Sequence, residues 1–167
     1  MQWILSLLFS LLMAPVFAQD QKTVVSVNDF TPALGSLKGT LTYLDYTSGK
    51  PFTMPANVTI SVYTGTLNGI ILALDYPQEP KANGNDTLVI SNEGVLLNGA
   101  KIVSKKQLTD GSIEIIADKE GMDGNDYKKA VLRHIYNISK TKFSNRKEVK
   151  FEGTDTWILR NEYVFSR

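Results

Sequence analysis

Hydrophobic and polar positions alternate in short runs along most of the chain after residue 35. The run at residues 57–64 is the clearest, with Val58, Ile60 and Val62 on one side and threonine, serine and tyrosine between them. A period of two is typical of a β-strand that buries one face. No window after residue 18 has a helical period of useful length. The pattern therefore predicts an all-β protein.

Turn-forming residues separate these runs about every 8–12 residues, a spacing typical of sandwiches and barrels. Asn98-Gly99 is a strong signal for a two-residue hairpin, and Asp110-Gly111 marks another one. Short connections of this kind make consecutive strands antiparallel neighbours. We therefore expect a single antiparallel up-and-down meander of about nine to ten strands. Closure into a barrel is expected because it removes the two exposed edges of such a sheet.

The longest strands are predicted in the last part of the chain, at residues 129–139, 142–151 and 157–165. Residues 118–128 are rich in charged side chains and glycine, and they predict a polar loop before these strands. Several oxygen-bearing side chains in this loop suggest a calcium site. Lys129 stands where the calcium-loop template requires a glutamate, so no metal site is predicted.

The beginning of the chain has a different pattern. From Trp3 to Ala18 it is almost wholly apolar, and it turns polar directly afterwards. This run is shorter than the about 20 residues that a spanning helix needs. Together with the small residues before the polar turn, it predicts a secretory signal that is cut after Ala18, with a short uncleaved anchor as the alternative. The predicted divisions are a signal peptide at 1–18, a lead-in segment at 19–34 and a β-barrel domain at 35–167.

The amino-acid composition excludes several kinds of partner and site. The 167 residues include 18 basic and 17 acidic side chains, one histidine and no cysteine. A net charge of +1 argues against nucleic acid as a partner. The absence of cysteine excludes disulfides and thiol chemistry, and a lone histidine excludes a two-histidine metal site. An exported chain without disulfides indicates a domain held by its core, and it favours a bacterial periplasmic or extracellular location. No membrane span is expected after cleavage.

Three features give the chain a family resemblance. A glycine-containing stretch from Gly35 to Leu41 leads the first long strand, a meander almost without helix follows, and the last strand carries Arg160 and Arg167. In these features the chain resembles the calycin superfamily of lipocalins and fatty-acid-binding proteins. Leu37 stands where lipocalins have tryptophan, and residues 47–56 are too few for the two helices of fatty-acid-binding proteins. The resemblance implies a calycin-like barrel with a small-molecule ligand inside.

The candidate ligand-binding residues are aromatic and polar side chains that we expect on the inner face. Strict alternation along the last strand turns Trp157, Asn161 and Tyr163 inward and Arg160 outward. Polar tips on an inner face suit a partly wet cavity. The alternative is that these side chains fill a core and bond the backbone. The full candidate set is Tyr43, His134, Tyr136, Trp157, Asn161 and Tyr163.

No catalytic residue is assigned, because the chain has neither a Gly-x-Ser-x-Gly motif nor a second histidine. No cofactor is predicted. The predicted function is that of an exported, non-enzymatic β-barrel that binds a small apolar or amphipathic molecule in its interior. The alternatives are an envelope structural or protein-binding module with a filled core, a calycin-type isomerase or cyclase, and a small outer-membrane barrel. The charged face at residues 144–150 counts against a membrane barrel.

Overall fold

The computed structural model describes residues 23–45, 47–65 and 68–167. These residues form one ten-stranded antiparallel sheet and two short 3₁₀ helices. The predicted signal peptide lies outside the described residues. The strands are β1 (Gly35–Leu44), β2 (Pro51–Val62), β3 (Gly69–Asp75), β4 (Gly84–Val89), β5 (Leu96–Leu97), β6 (Ala100–Gln107), β7 (Ile113–Asp123), β8 (Lys128–Ile138), β9 (Lys142–Phe151) and β10 (Ile158–Ser166), and the helices span Val27–Ala33 and Pro80–Ala82.

The strands follow the chain around the barrel. Each strand pairs with the next from β1 to β4 and from β5 to β10, and β1 also pairs with β10. Between β4 and β5 a single bridge joins Ile90 to Leu97. The predicted all-β, up-and-down meander is confirmed as a nearly closed barrel. The hairpin at Asn98-Gly99 is also confirmed, since φ is positive at both residues, 50° and 72°.

The predicted loop at residues 118–128 is wrong. Strand β7 continues to Asp123 and β8 begins at Lys128, so only a tight turn remains between them. Charged side chains lie on both faces of this hairpin end, which hides the alternation that reveals a strand. Asp123 nevertheless lies buried in the structure, because basic side chains surround its carboxylate.

The N-terminal 3₁₀ helix closes one end of the barrel. Phe30 is fully buried there, and its ring meets the edge of the Tyr136 ring at 6.4 Å between centroids. Large apolar side chains of the strands surround it, and each contributes about 1.5–3 kcal/mol by burial. We call this group the apolar base. Its members are Phe30, Leu37, Ile138, Phe143 and Phe165, each at most 2% exposed.

Gly39 allows the first and last strands to close the barrel. It lies opposite Phe165 in the pairing of β1 with β10. A Cβ atom at this position would stand 1.9 Å from the backbone oxygen of Val164. Only glycine therefore permits so close an approach of the two strands.

Candidate functional site

Strand register arranges the inner side chains of β8, β9 and β10 in successive rows. The first row belongs to the apolar base. The next two rows are polar, and Tyr43 of β1 extends them because it pairs with Asn161. We call this group the polar belt. Its members are Tyr43, His134, Tyr136, Asn145, Lys147, Asn161 and Tyr163.

His134 lies in the middle of the polar belt. Its Nδ1 atom is 3.3 Å from Oδ1 of Asn145, and its ring stacks on Tyr136 at 6.1 Å between centroids. Burial lowers the pKa of His134 below its ordinary value of 6.5, and the charge of Lys147 acts in the same direction. The imidazole is therefore neutral at pH 7 and offers one donor and one acceptor.

Tyr163 connects the polar belt to the apolar base. Its hydroxyl lies 2.8 Å from the hydroxyl of Tyr76, while its ring stacks on Phe165 at 5.7 Å between centroids. Burial raises the pKa of the Tyr163 hydroxyl, and the hydrogen bond to Tyr76 raises it further. Burial also raises the pKa of Tyr136. Both phenols therefore stay protonated and neutral.

Asp86 of β4 is a further charged group beside the polar belt. Leu88 and Ile90, which follow at intervals of two residues, are both buried in the core. The negative charge of Asp86 raises the pKa of His134, Tyr136 and Tyr163, although burial and other contacts act more strongly on each of them. Asp86 was missed because it follows a loop-like segment rich in asparagine and glycine.

A second charged group, the ion cluster, consists of Asp123, Lys147 and Arg160. The Asp123 carboxylate accepts hydrogen bonds from Nζ of Lys147 at 3.2 Å and from Nε of Arg160 at 2.5 Å. The side chains of Asp123 and Arg160 are only 7% and 9% exposed. Such an arrangement is expected in a protein interior, since a buried charge without a partner is costly.

Two predicted orientations on the last strand are wrong, those of Arg160 and Trp157. A β-bulge shifts the register between Leu159 and Asn161, so strict alternation does not hold there. Arg160 is therefore buried rather than exposed. Trp157, predicted to line a cavity, lies instead on the outer face, where the Arg133 guanidinium stands 4.1 Å above its ring. Arg133 in turn donates two hydrogen bonds of 2.8 Å to Asp118.

Of the six candidate residues, the structure brings five together in the polar belt and excludes Trp157. Asn145 and Lys147 complete the belt between them. The belt is more open than the apolar base, because all its members except Tyr136 are only partly buried. Its role in binding stays a prediction.

No protein-family model and no curated protein matches the chain. Among solved structures it is similar to the crystal structure of Rv2717c from M. tuberculosis, with a TM-score of 0.47 and 13% identity over 84% of this chain and 96% of that one. In the part of the chain that the structure describes, no helix is long and apolar enough to cross a membrane.

Proposed function

We propose that this barrel binds a small amphipathic molecule in its interior. The apolar part of the ligand packs toward the apolar base, and its polar part meets the polar belt. The observation that carries the proposal is the position of a partly exposed polar belt one row from a fully buried apolar base. Small-molecule sites combine an apolar lining with a few placed polar groups in this way.

The belt supplies hydrogen bonds of both kinds to such a ligand. The neutral imidazole of His134 offers Nε2 as an acceptor, because its Nδ1 faces the acceptor oxygen Oδ1 of Asn145. The amide of Asn161 both donates and accepts, and the Tyr163 hydroxyl is protonated. These three neutral groups, on β8 and β10 with β9 between them, fix the orientation of a polar head without requiring it to be charged. A hydroxyl, carbonyl or amide head group fits this set.

Binding rather than catalysis is favoured by the contacts of His134. A histidine that acts as a general base is usually oriented by a carboxylate. His134 has the neutral amide of Asn145 at its Nδ1 atom instead. The proposal is therefore a calycin-like carrier or binding protein and not an isomerase or cyclase.

Export is part of the proposal and has its own test. It is supported by the apolar segment that ends at Ala18, which lies outside the described residues. Expression of the full chain in a bacterium, followed by cell fractionation and N-terminal sequencing, should give a periplasmic or extracellular protein that begins at Gln19. A full-length protein in the cytoplasm would contradict export.

Native mass spectrometry of the protein purified from its own cells tests ligand binding. We expect a reproducible added mass from a small molecule, and Asn161→Ala should reduce its occupancy. The matched control is Glu162→Gln, because Glu162 is the next residue on β10 and points to the opposite face. An unliganded protein, or equal loss in both variants, would contradict the proposal and favour the filled-core module.

A further inference from the structure

The wall of the barrel has a gap between β4 and β7. The pairing of β6 with β7 ends at Lys101 and Asp118, while β7 continues to Asp123 with pairs to β8 only. On the other side, residues 84–88 of β4 pair only with β3. Within the described residues, no strand therefore fills the space between residues 84–88 and residues 119–123. We call this space the wall gap.

The base of the wall gap is the hairpin turn at Asn98-Gly99. The backbone oxygen of Val89 accepts a hydrogen bond from the Asn98 N–H at 2.8 Å, and the side chain of Asn98 accepts one from the Val89 N–H at 2.7 Å. These bonds join the two sides below the gap. They also show that the N–H of Val89 points away from β3, toward the gap.

The edge of β4 is protected against pairing with another strand. Thr87, two residues before Val89, presents its backbone on the same side. Its N–H donates to the carboxylate of Asp86 at 3.1 Å. Across the gap, β7 presents Lys119, whose ammonium group lies beside Gly99. Charged side chains at an edge disfavour strand addition, so the gap is suited to passage rather than to β-pairing.

The strand register places the wall gap beside the polar belt. Asp86 is exposed to solvent at the gap, and its charge acts on His134, Tyr136 and Tyr163 inside the barrel. Lys119 pairs with Leu132, which is two residues from His134 on the same face of β8. Beyond the polar belt, the interior is filled by Phe30 and the rest of the apolar base.

We propose that the wall gap, between Asp86 and Lys119, is the entrance through which small amphipathic molecules reach the polar belt. This inference rests on the proposed function for its ligand class. The passage itself is a property of the barrel that can be measured without any ligand.

The test uses the absence of native cysteine. A cysteine is placed in the belt by His134→Cys, or by Asn161→Cys if the first variant does not fold, and its rate of labelling by a fluorescent maleimide is measured. Lys119→Trp is then added to obstruct the gap. We expect it to slow labelling about tenfold, which corresponds to about 1.4 kcal/mol in barrier height. Circular dichroism and thermal melting confirm that each variant is folded.

Two matched controls separate obstruction from other effects. Lys119→Gln removes the same charge without added bulk, and it should leave the labelling rate within about twofold. Glu114→Trp adds the same bulk to β7 outside the gap, on the face opposite to Ile115 and its pair Tyr136, and it should also leave the rate unchanged.

The inference is overturned if Lys119→Trp does not slow labelling, if Lys119→Gln slows it as much, or if Glu114→Trp slows it equally. Because labelling requires no ligand, these results are independent of the mass-spectrometric test of binding. A barrel that binds a ligand but labels at the same rate with the gap obstructed would keep the proposed function and lose this entrance.

Discussion

The apolar base and the polar belt lie on the same strands and differ by one row of residues. Phe165 in the base is 1% exposed, whereas Tyr163, two residues earlier on the same face, is partly exposed. The base provides closely packed apolar volume, and the belt provides polar groups that solvent reaches. This difference shows that one inner face of a small barrel can carry both a closely packed apolar part and a partly exposed polar part.

The largest loss of stability is expected from Phe143→Ala in the apolar base. Phe143 is 1% exposed and stacks on Phe165, so its truncation should lower the free energy of unfolding by about 3–5 kcal/mol. Urea denaturation measures the change. Phe52→Ala is the matched control, because Phe52 is 48% exposed and should lose much less stability. Equal losses would mean that Phe143 in the apolar base contributes no more to stability than the exposed Phe52.

A smaller loss of stability is expected from Asp123→Asn in the ion cluster. The substitution leaves the buried Arg160 and the partly buried Lys147 without their shared carboxylate, at a cost of about 3 kcal/mol. Asp126→Asn removes the carboxylate of an exposed pair with Lys128, and it should cost at most about 1 kcal/mol. Thermal denaturation of both variants checks the contrast. If both variants melt at the same temperature, the ion cluster is not a buried, mutually dependent unit.

Tyr163→Phe should separate the two roles most clearly. The variant keeps the ring on Phe165 and removes only the hydroxyl bond to Tyr76, so we expect a loss of about 0.5–1.5 kcal/mol in stability. Under the proposed function, we also expect the occupancy by a co-purified small molecule to fall, because the variant lacks one of the belt's hydroxyl groups. Native mass spectrometry and urea denaturation on the same samples measure both. A ligand retained in full would remove Tyr163 from the site.

The smallest expected effect is on the pH dependence of stability, to which His134 contributes. Its pKa is below 6.5 in the folded protein, so the unfolded chain takes up the proton first as the pH falls. Its contribution to stability is complete above pH 6.5 and is lost as the pH falls from there through the folded-state pKa. The slope from this residue is at most about 1.4 kcal/mol per pH unit. His134→Gln should flatten the stability profile between about pH 7 and pH 5. An unchanged profile would contradict the assigned environment of His134.

Most of the fold could be predicted because period-two alternation is a local signal. Alternation along residues 142–151 puts Phe143, Asn145 and Lys147 on one face, and in the structure this is the inner face of β9. The prediction failed on β10 at Trp157 and Arg160, because a bulge adds one residue to the strand and reverses the faces before it. The sequence around Arg160 contains no signal of a bulge, because the partner of the Arg160 side chain is the carboxylate of Asp123, which is distant in sequence.

The site could be predicted only in part for a similar reason. His134 and Tyr136 lie on a long regular strand, and Asn161 and Tyr163 lie after the bulge of β10, so alternation identifies the inner face for all four residues. Asp86 and Asp123 lie at strand ends whose sequences resemble loops. Their positions beside the belt depend on which strands become neighbours after closure, and alternation within one segment carries no such information.

The pairing of β1 with β10 also has a consequence for how the chain folds. Lys38 pairs with Ser166, so the seam that closes the barrel joins residues from opposite ends of the described sheet. Contacts between such distant residues require the chain to lose much of its conformational entropy before the contacts form. We therefore expect slow folding, on the millisecond-to-second scale of β-proteins with many non-local contacts. Until β10 arrives, the edge of β1 that carries Gly39 stays unpaired and exposed to other chains.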